Sequence, residues 1–163
     1  MLAQSTTELA AQFGLWLHQK NWRVATAESC TAGGIGYAIS AISGSSAWLE
    51  GGLITYSNEL KQQLLGVSAD DLQRFGAVSS EVAAAMARGA LQRTQVDCVI
   101  AVTGIAGPDG GTREKPVGLV WFGLAWADQC LTWSKIFPGD REAVRQATIE
   151  EALQGYKKIL DTV

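Results

Sequence analysis

Residues 26–34 read TAESCTAGG and place Ser29 and Cys30 side by side, after the short apolar run 22–27 and before Gly33 and Gly34. Small residues at a helix start let the backbone approach a ligand, and a first helical turn offers unpaired N–H groups. A serine beside such donors is what a nucleophile with an oxyanion hole requires. A plain helix cap by Ser29 or Thr31 would use the same letters. No Gly-Lys-Ser/Thr follows, and the stretch contains neither GxSxG nor GxGxxG, so it matches none of the common phosphate or hydrolase signatures.

A serine nucleophile needs a base. The single histidine, His18, lies in a helical segment as a solvent-facing residue, which gives a Ser-His-Asp triad little support. Lysine is the other choice, because burial can lower its pKa enough for base work. Lys61 follows ITYSNEL at the start of a short helix. No SxxK pattern exists, so a Ser29–Lys61 pair has to be assembled across the fold. A solvated helix lysine is the plain reading of Lys61 taken alone. Cys30 is the rival nucleophile.

The elements that must hold these residues alternate along the chain. Helices are expected at 5–20 (capped by Ser5 or Thr6, with Leu9, Phe13, Leu15 and Trp16 inward), 31–42, 58–65, 68–75, from Ser79, and from Asp140 to near the end. Strands are expected at 22–27, 52–57 and 97–103, with a hairpin of 117–126 and 131–137. The run DCVIAVT is apolar without alternation, as in a strand covered on both faces. The pattern predicts one α/β domain over 1–163, an α/β/α layered fold with a mixed sheet. In such sheets ligands collect at the carboxyl ends of strands.

Composition narrows the function classes. The net charge is −3 with no basic block, which gives no reason to expect nucleic acid or an anionic membrane as partner. The three cysteines Cys30, Cys98 and Cys130 form no CxxC and fit a reducing cytoplasm. The N-terminal segment lacks the features of a signal peptide, and no apolar run is long enough to span a bilayer. Asp109 and Glu114 are too few for a metal site, so neither metal nor cofactor is expected.

The blocks AESCTAGG, SGSSAW, YSNELK, GAVS, TGIAGPDGG with EKPVG, and FPGDREAVR, in this order between about Val24 and Arg145, resemble the CinA C-terminal domain family. Larger members carry a further N-terminal domain associated with ADP-ribose pyrophosphatase chemistry. That activity is not expected from these 163 residues. The resemblance implies hydrolysis of the carboxamide of nicotinamide mononucleotide to nicotinic acid mononucleotide and ammonia, in pyridine nucleotide recycling. It associates catalysis with Ser29 and Lys61, with Tyr56 nearby to hydrogen-bond either one. It also implies a homodimer. Ala32 stands where the motif often has Gly, which matters only if that residue needs a positive φ.

For that substrate, backbone groups around Cys30, Thr31, Gly33 and Gly34 would hold the oxyanion. Ser45 and Ser46, the Thr103, Gly104 and Gly107 loop, and Arg141 or Arg145 are the candidates for the phosphate. The arginines lie four apart and share a helix face, which could equally be a solvated one. Trp48 is placed to lie near the ring, whereas Trp121, Trp126 and Trp133 are read as packing or interface. Two other functions stay open: a nucleotide-binding module without turnover, and an amidase for another small amide.

Overall fold

The computed structural model describes residues 1–160. Five strands, β1 (Val24–Glu28), β2 (Leu49–Ile54), β3 (Cys98–Gly104), β4 (Leu119–Trp126) and β5 (Gln129–Ile136), form one sheet in the order β2-β1-β3-β4-β5. β1 runs parallel to β2 and β3, while β4 is antiparallel to β3 and β5. The sheet is therefore mixed, with the hairpin supplying its antiparallel side.

Helices cover both faces. Helices α1 (Gln4–Lys20), α2 (Gly34–Ser40), α6 (Arg141–Leu153) and the short α7 (Lys157–Leu160) lie on one face. Helices α3 (Asn58–Leu65), α4 (Ala69–Phe75) and α5 (Ser80–Thr94) lie on the other. Alternate residues of a strand point to opposite faces. In β3, Cys98, Ile100 and Val102 accordingly enter the first core and Val99 and Ala101 the second. No polar face is left over, which explains the unbroken apolar run.

Gly89 of α5 faces the backbone of Leu65 at the end of α3, where a Cβ would strike the Leu65 carbonyl. The missing side chain lets α3, which carries Lys61, lie close on α5. No helix among the described residues is long and apolar enough to cross a membrane.

Several boundaries depart from the periodicity. Helix α1 begins at Gln4 with Ala3 as an uncapping N-cap, because the Ser5 and Thr6 hydroxyls donate instead to Glu150 of α6, at 2.6 and 2.8 Å. Leu15 is exposed, and Ala10, Phe13, Gly14 and Leu17 form the buried stripe. Helix α2 starts at Gly34 rather than Thr31, since Ala32 and Gly33 sit at φ 48° and 95°. β2 ends at Ile54, three residues early, where Thr55 N–H still bonds to Glu28 O and the chain turns into α3. The final helix breaks at 154–156, where Gly155 passes the Trp133 ring.

Candidate active site

Ser29 follows the last residue of β1, and its N–H donates to Val102 O of β3 at 3.1 Å. It therefore stands at the carboxyl ends of two neighbouring parallel strands, where the sheet opens toward ligands. Lys61 reaches the same point from α3. The Ser57 hydroxyl caps this helix by accepting from Leu60 N at 3.1 Å, so the cap fixes the turn that carries Lys61.

The Lys61 side chain is 1% exposed, and its Nζ lies 3.1 Å from Ser29 Oγ. Nζ also donates to the carbonyls of Thr55 at 2.9 Å and Tyr56 at 3.2 Å. A neutral amine has two N–H bonds and one lone pair. With both N–H bonds taken by carbonyls, the lone pair is left for the Ser29 hydroxyl. Burial pushes the Lys61 ammonium below its ordinary value of 10.5, with the nearby Cys30 opposing. A buried lysine at hydrogen-bond distance from a serine hydroxyl is the arrangement that a nucleophile and its base require.

Cys30 is adjacent and lines the same cleft, but its thiol is held in the protonated form. Burial pushes its thiol from 9.0 up to about 11, with Glu28 adding to the effect and its own amide, Arg145 and Lys61 opposing. The thiolate is the reactive form, and this site suppresses it.

The cleft beside Ser29 has a volume of about 280 Å³. Of the residues expected from the sequence, Ser29, Cys30, Tyr56, Lys61, Thr103, Gly104, Gly107 and Arg141 line it. The structure adds Asn58, Ala77, Val78, Ile105 and Asp109. Ala77 and Val78 belong to the GAVS block, whose Ser79 hydroxyl is taken up in capping α5 and which contributes backbone to the cleft: Ala77 O accepts from the Thr103 hydroxyl at 2.9 Å.

Other expectations are corrected. Ser45 and Ser46 lie in a 3₁₀ turn (Ser45–Ala47) just before β2, at the amino ends of the strands, with Ser46 O accepting from Arg23. Five strand residues, about 16 Å at 3.3 Å each, separate that end from Ser29. Trp48 lies at the same distant end, buried against Gly14 and 6.1 Å from the His18 ring. Thr31 is buried beneath the turn with its hydroxyl donated to Glu28 at 2.6 Å. Gly33 and Gly34 face Ile54 and Ile149 rather than the cleft.

The Tyr56 hydroxyl contacts neither Ser29 nor Lys61; it accepts from Arg141 at 3.0 Å, and only the Tyr56 carbonyl meets the lysine. Arg145 donates to Cys30 O at 3.1 Å and points at the turn, leaving Arg141 as the arginine at the cleft. Trp133 stacks on Phe122 at 5.2 Å, the packing role expected of it.

Donors for an oxyanion are narrowed in turn. The amides of Ala32 and Gly34 are spent on Ser29 O and Thr31 O, and those of Ile35 and Gly36 on the Glu28 carboxylate. Those of Cys30, Thr31 and Gly33 have no backbone acceptor among the described residues. Glu28 is the residue that sequence reasoning missed. It stood in plain view in AESC as a carboxylate inside a buried strand, a position that demands hydrogen-bond partners.

A family model of the CinA C-terminal domain matches residues 6–160. The chain belongs to this family. It is 51% identical over 148 residues, 90% of each chain, to the nicotinamide-nucleotide amidohydrolase PncC of Enterobacter agglomerans. It is 50% identical over 151 residues to the protein of the same name from Pseudomonas putida, covering 91% of this chain and 93% of that one. The crystal structure of a competence/damage inducible protein from Agrobacterium tumefaciens superposes with a TM-score of 0.94 at 39% identity, over 97% of both chains. The α/β fold of this CinA-family chain is thus that of its solved relatives.

Proposed function

We propose that this chain is a nicotinamide-nucleotide amidohydrolase that converts nicotinamide mononucleotide and water to nicotinic acid mononucleotide and ammonia. The observation that carries the reading is the buried Lys61 Nζ at 3.1 Å from Ser29 Oγ, in a cleft at the strand ends. The activity for which its relatives from Enterobacter agglomerans and Pseudomonas putida are named gives the substrate class.

Neutral Lys61 takes the proton as Ser29 Oγ bonds to the carboxamide carbon. Of the amides without a backbone acceptor, that of Cys30 belongs to a residue that lines the cleft and is the donor proposed for the oxyanion, worth roughly 3 kcal/mol where geometry is good. The Lys61 ammonium then protonates the leaving nitrogen, ammonia departs, and an ester on Ser29 remains. Water attacks the ester while Lys61 accepts its proton. That proton returns to Ser29 Oγ, and the product leaves as the carboxylic acid, which gives its proton to water. Every proton exchanged with Ser29 Oγ moves through one lysine, and no step calls for a metal.

Arg141 is the proposed phosphate partner. It lines the cleft and also an adjoining groove formed with Pro108, Val117, Gly139 and Arg145. A substrate with its carboxamide at Ser29 can therefore extend its tail past this guanidinium. The resemblance further supports a homodimer, to be checked by light scattering of the purified chain. The three free cysteines support a reducing cytoplasm.

The test is ammonia release from nicotinamide mononucleotide by wild type, Ser29→Ala, Lys61→Ala and Cys30→Ala. Wild type and Cys30→Ala are expected to be active, and the other two reduced by at least about a hundredfold. A dead Cys30→Ala beside an active Ser29→Ala would move the nucleophile to the thiol. Binding of the nucleotide by a silent wild type would make the chain a binding module. Ammonia from another small amide alone would change the substrate.

A further inference from the structure

We propose that Glu28 is a positioning residue for the nucleophile: its buried carboxylate sets the turn 29–33 and so aims Ser29 at Lys61. This rests on the Ser29–Lys61 reading above. Glu28 is 1% exposed and accepts four hydrogen bonds. Oε1 takes the Thr31 hydroxyl at 2.6 Å and Ile35 N–H at 2.9 Å. Oε2 takes the Thr26 hydroxyl at 2.9 Å and Gly36 N–H at 3.0 Å. One carboxylate thereby ties together the strand before Ser29, the turn that follows it, and the first amides of α2.

Two of these donors are backbone amides, which cannot reverse. The position therefore calls for a group that accepts on both oxygens, and a carboxylate does so. The neighbourhood is fitted to this arrangement. Gly52, paired with Thr26 across β1 and β2, has no side chain, and a Cβ there would run into the Thr26 hydroxyl.

The turn that Glu28 holds is a strained one, with Ala32 at φ 48° and Gly33 at φ 95°. Such backbone persists where its surroundings determine it. Glu28 does not line the cleft, so it acts on Ser29 through the turn and not on the substrate.

The experiment is steady-state kinetics of E28Q on nicotinamide mononucleotide, with T31V, T31S and the E28Q/T31V double variant. Glutamine keeps the shape but sets an NH₂ group against a backbone N–H. The expected result is a fall in kcat of about 10- to 100-fold, the scale of a small misplacement of reacting groups. KM is expected to stay within about threefold, and the ascending pH limb to stay in place, because neither the substrate contacts nor the surroundings of Lys61 change. T31V should lose part of kcat, T31S should restore it, and the double variant should lose less than the product of the two.

A folded E28Q with wild-type kcat overturns the proposal. So does a raised KM at unchanged kcat, which would put Glu28 on the substrate. A shifted pH limb would make it a partner of the base and overturns it as well. If E28Q does not fold, the Thr31 pair decides: T31V at wild-type kcat overturns the proposal, and loss restored by T31S sustains it. Labelling of Ser29 by a serine-directed fluorophosphonate separates this proposal from the substrate reading. Slower labelling in E28Q at an unchanged melting temperature supports positioning even if the mononucleotide is not turned over, and equal labelling rates overturn it.

Discussion

In the proposed mechanism the pH dependence of the site turns on Lys61. Only its neutral form has a lone pair for the Ser29 proton, and burial lowers the pH at which that form appears. The kcat/KM for mononucleotide hydrolysis should therefore rise with pH along a limb whose midpoint lies below the ordinary lysine value of 10.5. Lys61→Arg keeps a cation that does not deprotonate in this range, so both the limb and the activity should be lost, by about 10²- to 10⁴-fold. A pH series on wild type and Lys61→Arg checks this. A flat wild-type profile from pH 6 to 10 would remove the lysine from the role of base.

Among the elements, the turn between β1 and α2 shows most clearly what the sequence could and could not disclose. Ala32 at φ 48° occupies backbone that costs a residue with a Cβ about 1 kcal/mol. Ala32→Gly should accordingly raise stability by up to about 1 kcal/mol, less what glycine adds to the unfolded chain, with activity kept. Urea unfolding of the two proteins measures it, and a destabilised Ala32→Gly would mean the Ala32 methyl is needed. Layers, mixed sheet and hairpin were legible because the runs around β1, β3 and β4 carry their burial in their letters. Ser29 and Lys61 were legible through motif resemblance, since 32 residues of chain separate them and no local spacing joins them. The starts of α3, α4, α5 and α6 were legible too, at the caps Ser57, Ser68, Ser79 and Asp140, whereas those of α1 and α2 were not. Ser5 and Thr6 look like caps, but a carboxylate 144 residues away takes their hydroxyls. Ser45 and Trp48 sit in a matching block whose work is to close the far end of the sheet, where Arg23 binds Ser46 O, Ala47 O and Leu49 O. Tertiary partners decided each of these, and a window of sequence does not contain them.

Over the whole molecule, the shifted groups combine into a stability curve with two flanks. On the acid side, burial works against ionisation of Glu150, but hydrogen bonds from Ser5, Thr6 and Gln146 outweigh it and hold its carboxyl below 4.5. The unfolded chain then takes up a proton that the folded one refuses, so this contribution is present above pH 4.5 and lost as pH falls through the lowered value. On the alkaline side, burial raises the thiols of Cys30, Cys98 and Cys130 above 9.0 and the Tyr156 phenol above 10.0. Here the unfolded chain releases protons that the folded chain retains, so stability falls as pH rises past 9. Lys61 works in the opposite direction, because its folded value lies below its unfolded one and the cost of burying its charge is relieved toward pH 10.5. One relieved lysine stands against four groups, of which Cys30 alone, moved from 9.0 to about 11, amounts to roughly 3 kcal/mol once both states have ionised. The melting temperature should therefore hold a plateau and decline both below pH 4.5 and above pH 9. Glu150→Gln should flatten the acid decline and Cys98→Ala the alkaline one, each leaving the other flank in place. A melting temperature that climbs from pH 9 to 10.5 would mean that the buried lysine outweighs the thiols, and that the charge at the heart of the site is the larger burden on the fold.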